Sequence, residues 1–136
     1  MNRPIFRDRL LIFTASSSDR KDIEENLKTA GIRDYFRAVV GGDQVEKGKP
    51  DPEIFLRAAK ALELSPEDCY IFEDSFNGIR AAHAAGGMAV MIPDQVQPDE
   101  EIKGLCKVYE SFHRVLEDIR AGNILVEPPY SISLRI

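Results

Sequence analysis

Short, largely apolar runs recur along this chain, and each stops abruptly at a polar, glycine or proline turn. Leu10-Leu11-Ile12-Phe13 ends at Thr14-Ala15-Ser16-Ser17-Ser18, and Phe36-Arg37-Ala38-Val39-Val40 ends at Gly41-Gly42. Cys69-Tyr70-Ile71-Phe72 runs into Glu73-Asp74, and Met88-Ala89-Val90-Met91-Ile92 is stopped by Pro93. Runs without polar alternation suit strands covered on both faces, the habit of parallel sheets.

Segments of helical period separate the runs. Asp19 to Ala30 places Ile23, Leu27 and Ala30 on one face, with Gly31 as the residue that closes the helix. Asp51 and Pro52 read as N-cap and first residue of a helix whose Ile54, Phe55, Ala58, Ala59 and Leu62 form one stripe. Ile79, Ala82 and His83 lie on an alanine-rich helix that ends at Gly86-Gly87. A short helix after Pro98, a minor strand at Val108-Tyr109 and a helix from Ser111 to Arg120 complete the pattern. Strands alternating with helices across short links predict an α/β fold with a mostly parallel sheet.

Composition narrows the classes. A chain of 136 residues with 43% hydrophobic content can bury one core and reads as one domain. With 18 basic and 23 acidic residues its net charge is −5 and no basic run is present, which argues against nucleic acid as a partner. Cys69 and Cys106 form no CxxC pair and are read as reduced thiols, and no stretch has the length of a membrane span. The expectation is a cytoplasmic protein that does not bind membranes.

The chemistry lies in the clusters at the strand ends. Ser16 and Ser17 at a helix start can offer hydroxyl and amide donors to an anion. Lys49, in Lys47-Gly48-Lys49-Pro50-Asp51-Pro52, is held between glycine and proline and can neutralise phosphoryl charge. Glu73 and Asp74 are adjacent like charges that call for a cation or a donor, and hard oxygen ligands suit Mg²⁺. Because neighbours on an extended chain point opposite ways, Asp74 is the expected direct ligand and Glu73 is secondary or bonded to the loop. Taken singly, the serines also suit a helix cap, the lysine a solvated loop and the acidic pair a helix N-terminus. Ser75 and Asn77 read as caps, His83 and His113 as structural or exposed, and Asp94 as a residue of a loop that could approach substrate but more commonly is just solvated. A receiver domain has a similar parts list, but its acidic pair comes first in the chain and its lysine last. Here the acidic pair comes last.

Three segments carry a resemblance to a known family. Thr14 to Ser18, Lys47 to Phe55 and Ile71 to Ile79 resemble, in order, the second, third and fourth motifs of the haloacid dehalogenase superfamily, and most closely its β-phosphoglucomutase-like phosphatase branch. The likeness covers about residues 9 to 120. It implies a Rossmann-like three-layer sandwich, here with an incomplete core. It also implies Mg²⁺-dependent phosphoryl transfer through an aspartyl-phosphate, in a hydrolase or sugar phosphomutase acting on a small phosphorylated metabolite. Ser16 and Lys49 would be catalytic, Ser16, Ser17 and Lys49 would bind phosphate, and Asp74 with Glu73 would hold the metal. No Asp-x-Asp occurs anywhere in the sequence, so the family's first motif, with its nucleophile, has no counterpart, and the helical cap that follows it is also missing.

Two expectations follow from that gap. The isolated chain should be inactive, either because it needs a complementing N-terminal fragment or because it is a phosphate-binding or protein-interaction module without catalysis. Residues 1–122 would form the core, and residues 123–136 a tail with an extra strand. The resemblance puts the nucleophile strand between the strands ending at Ser16 and Glu73, so its absence would leave a gap that something must close. The alternation of Ile132, Leu134 and Ile136 suits an edge strand, paired within the domain or across a homodimer.

Overall fold

The computed structural model of the chain describes residues 11–121 and 131–133. Strands β1 (Leu11–Ser16), β2 (Ala38–Gly41), β3 (Cys69–Glu73), β4 (Met88–Met91), β5 (Lys107–Val108) and β6 (Ser131–Ser133) form one sheet in the order β2-β1-β6-β3-β4-β5. Every pairing is parallel.

Strands β2, β3 and β4 are buried on both sides, and their alternation sorts them between two cores. Val40, Ile71, Ala89 and Met91 face one core with Ile54, Phe55, Ala58 and Ala59 of α2 (Glu53–Ala61) and Ile79, Ala81 and Ala82 of α3 (Phe76–Ala84). Ile102 of α4 (Glu100–Lys103) joins the same side. Val39, Phe72 and Val90 face the other core with Ile23 and Leu27 of α1 (Arg20–Thr29) and Val115 of α5 (Phe112–Arg120). Helices on both faces of a parallel sheet give the three-layer α/β sandwich expected from the sequence.

Local chemistry sets the element ends. Gly31 follows α1 at φ +73, a left-handed turn that glycine adopts without strain. Helix α2 begins at Glu53, one residue later than the sequence suggests, and Asp51 accepts from the Glu53 N–H at 3.0 Å. Ser75 caps α3 by accepting from the Gly78 N–H at 3.0 Å.

The tail strand departs from its expectation. β6 is internal: Ser131, Ile132 and Ser133 pair with Leu11, Ile12 and Phe13 on one side and with Cys69, Tyr70 and Ile71 on the other. It therefore bridges β1 and β3, where an edge position was expected from its alternation. The slot had two neighbours in need of ladder partners, and satisfying both outweighs the pattern of a short segment. The rest of the expected tail, and residues 1–10, lie outside the described residues.

Candidate active site

Because all strands run the same way, their carboxyl ends share one edge, and the loops that leave it hold the three polar clusters. Ser16, Ser17, Ser18, Lys49, Ser75 and Asn77 line one hollow of about 310 Å³ there. Asp74, Ser75, Phe76, Asn77, Asp94, Gln95 and Val96 line a second of about 490 Å³. Ser75 and Asn77 belong to both, so the two adjoin.

The serine turn is not a helix cap. Helix α1 starts at Arg20 after Asp19, and the Ser16 hydroxyl accepts from the Ser18 N–H at 3.2 Å within the turn. The first N–H of α1 instead donates to Asp43 at 2.8 Å. Gly42 lets the end of β2 close on this turn: its N–H donates to the Ser18 carbonyl at 2.7 Å, and a Cβ there would collide with the Ser17 carbonyl oxygen.

Lys49 enters from the loop between β2 and α2. Its ammonium pairs with Glu73 and donates to the Ala15 carbonyl at 3.3 Å, one residue before Ser16. It also lies 5.0 Å from the centroid of the buried Phe55 ring. The side chains of Lys49 and Glu73 are only 10% and 2% exposed, so the pair sits in a medium where Coulomb attraction is strong. An ammonium has three donors, and two are taken by these oxygens, which leaves one for a ligand in the hollow. Gly78 makes room for Glu73, because a Cβ at that position would strike its carboxylate.

The loop itself is fixed by Glu53. Its carboxylate accepts from the Lys47 N–H at 2.8 Å and from the Glu46 N–H at 3.0 Å, and these bonds hold its pKa below the ordinary 4.5. Sequence reasoning missed this residue, as it missed Asp43. A glutamate in a first helical turn already has a role in offsetting the dipole, and nothing in the pattern shows that it reaches back to the preceding loop.

The structure thus brings Ser16, Ser17 and Lys49 to one hollow and places the half-buried Asp74 at the adjoining one. Glu73 is turned inward to Lys49. Asp74 alone of the pair lines a hollow, and no cluster of three or more metal-binding side chains occurs among the described residues. This donor set suits only a cation that takes most of its shell from water and ligand oxygens, as Mg²⁺ does. His83 and His113 are exposed, and His113 contacts Glu117 at 3.1 Å. No helix among the described residues is long and apolar enough to cross a membrane.

A parallel sheet with helices on both faces, carrying hydroxyl, ammonium and carboxylate at its carboxyl edge, defines a three-layer α/β protein whose candidate site lies at that edge. Residues 5–86, more than half of the chain, match the model of the haloacid dehalogenase-like hydrolases, and the chain belongs to this family. It is 41% identical over 78 residues to the phosphorylated carbohydrates phosphatase of Thermotoga maritima, covering 57% of this chain and 36% of that protein. With the beta-phosphoglucomutase of Bacillus subtilis the identity is 43% over 91 residues, covering 67% and 39%. The crystal structure of CbbY from Rhodobacter sphaeroides in complex with phosphate superimposes with a TM-score of 0.70 at 30% identity, covering 77% of this chain and 48% of that one. The chain spans about two fifths of the length of these curated relatives.

Proposed function

We propose that this chain is the phosphate-binding part of a Mg²⁺-dependent phosphohydrolase or phosphomutase, acting on a small phosphorylated metabolite in the cytoplasm. The observation that supports the reading is the shared hollow, which Ser16, Ser17 and Lys49 line together. In this reading Ser16 and Ser17 donate to phosphoryl oxygens while Lys49 offsets their charge. Glu73 orients Lys49. Asp74 would hold Mg²⁺, which when bound supplies further charge neutralisation at the phosphoryl group.

Inorganic phosphate titrated into the ¹⁵N-labelled chain should move the amides of Ser16 to Ser18, and Lys49→Ala should weaken that binding at least about tenfold. Shifts elsewhere with the serine turn unmoved would sink the proposal. Mg²⁺ alone should bind weakly, in the millimolar range for one carboxylate ligand, and should move residues around Asp74. Still amides at Asp74 with a response at a distant site would remove the metal assignment.

A second reading, a binding or interaction module without turnover, is favoured by one observation: the 136 residues contain no Asp-x-Asp. The two readings differ in whether a nucleophile-bearing fragment, added as a separate chain, restores activity.

A further inference from the structure

Asn77, an exposed residue in the first turn of α3, sits where the two hollows meet, and its side chain is oriented by Arg80, which also ties α3 to α4. Its Oδ1 accepts from Arg80 Nη1 at 3.2 Å. Arg80 is gripped in turn by Glu101 of α4, with Nε and Nη2 each 3.0 Å from Oε1, and lies 6.0 Å from the centroid of the Phe76 ring. Arginine has no acceptor, so the atom facing it must be the amide oxygen. The Asn77 NH₂ therefore faces away from Arg80, and it makes no hydrogen bond to another described residue. The cap of α3 does not need it, because Ser75 already fills that role.

We propose that Asn77 is a ligand-binding residue whose NH₂ donates to the organic part of a phosphate monoester, with Arg80 as the positioning residue that keeps the donor facing the ligand. This deepens the phosphate-site reading and rests on it. A ligand phosphoryl group in the hollow of Ser16, Ser17 and Lys49 would have its ester linkage directed to the second hollow, with Asn77 at the threshold. A neutral donor suits that place. Asp74 and Asp94 line the second hollow, so with no cation at Asp74, as in the titration below, a second anionic group would be repelled there, whereas oxygens of an uncharged skeleton accept from an amide.

The test is an amide-shift titration of the ¹⁵N-labelled chain with inorganic phosphate and, separately, with glycerol 1-phosphate. Asn77→Ala and Arg80→Met should each weaken glycerol 1-phosphate about fivefold, the worth of one net hydrogen bond, while changing inorganic phosphate less than about twofold. Asn77→Asp, which places a carboxylate against the ligand, should weaken the ester more than Asn77→Ala does. If Arg80→Met perturbs the fold, Glu101→Gln loosens the same guanidinium from the other side and should reproduce part of the loss. Unchanged ester binding in Asn77→Ala overturns the proposal, and so does an equal loss for both probes. Failure of the unmodified chain to bind either probe removes the phosphate-site reading and takes this inference with it.

Discussion

Lys49 and Glu73 illustrate what a buried ion pair does at a site. Desolvating two charges costs much of what their attraction returns, so the pair itself need not stabilise the fold, but removing one partner strands the other. Lys49→Met should therefore lower unfolding free energy by about 3 kcal/mol, and adding Glu73→Gln should recover a large part of that loss. Urea denaturation of the two single variants and the double variant checks this; additive losses would mean that the two charges are not coupled. Glu53 gives a pH-dependent counterpart. Its folded pKa lies below 4.5 because the Lys47 and Glu46 amides bond the carboxylate, so its contribution is present above about pH 4.5 and is lost as pH falls through the lower folded value. Amide shifts of Glu46 and Lys47 should titrate in that acid range and cease to do so in Glu53→Gln. That Ser16, Lys49 and Asp74 share one edge of the sheet was legible in the sequence, because residue type and position at a strand end are both local signals. The partner of Glu73 could not, since the alternation of an extended chain says that neighbours diverge but not what each one meets.

The same division holds for elements. Strands β1 to β4 and the longer helices were legible because buried apolar runs and 3.6-residue stripes are local signals. Tail strand β6 was legible as a strand and misjudged in place. Its slot is decided by β1 and β3, which lie more than fifty residues from it and from each other, and no pattern within six residues reports an unmet ladder elsewhere. The deletion of residues 123–136 should therefore be costly: both β1 and β3 lose a parallel neighbour, and opening a ladder on each side should remove at least about 3 kcal/mol at roughly 1 kcal/mol per net hydrogen bond. Thermal and urea unfolding measure this, with mass by light scattering to show whether the exposed strands then pair between copies. An unchanged unfolding midpoint and mass would mean that β6 does not hold the sheet together in solution.

At the scale of the molecule, the parallel sheet gathers onto one edge groups that lie far apart in the chain, and the inventory there is uneven. Hydroxyls, an ammonium and a carboxylate can bind, neutralise and hold a cation, yet in-line attack on phosphorus needs a nucleophile with its own activation. Asp74 is the carboxylate we propose for the metal, Glu73 is tied to Lys49, and a serine would need an adjacent base. Neither histidine supplies one: both are exposed, and neither lines the serine hollow. The isolated chain should accordingly show no turnover of an aryl phosphate above background at millimolar Mg²⁺. Adding the N-terminal segment of a related enzyme as a separate chain should restore turnover if the chain is one part of a divided site, and that activity should vanish with Lys49→Ala. Its strand would have to enter the sheet between β1 and β3, and β6 already bridges them. Complementation should therefore be stronger in a chain shortened at residue 122 than in the full chain. Robust turnover by the pure, uncomplemented chain, lost in Asp74→Ala, would reveal a nucleophile among the 136 residues and overturn both the divided-site and the binding-module readings.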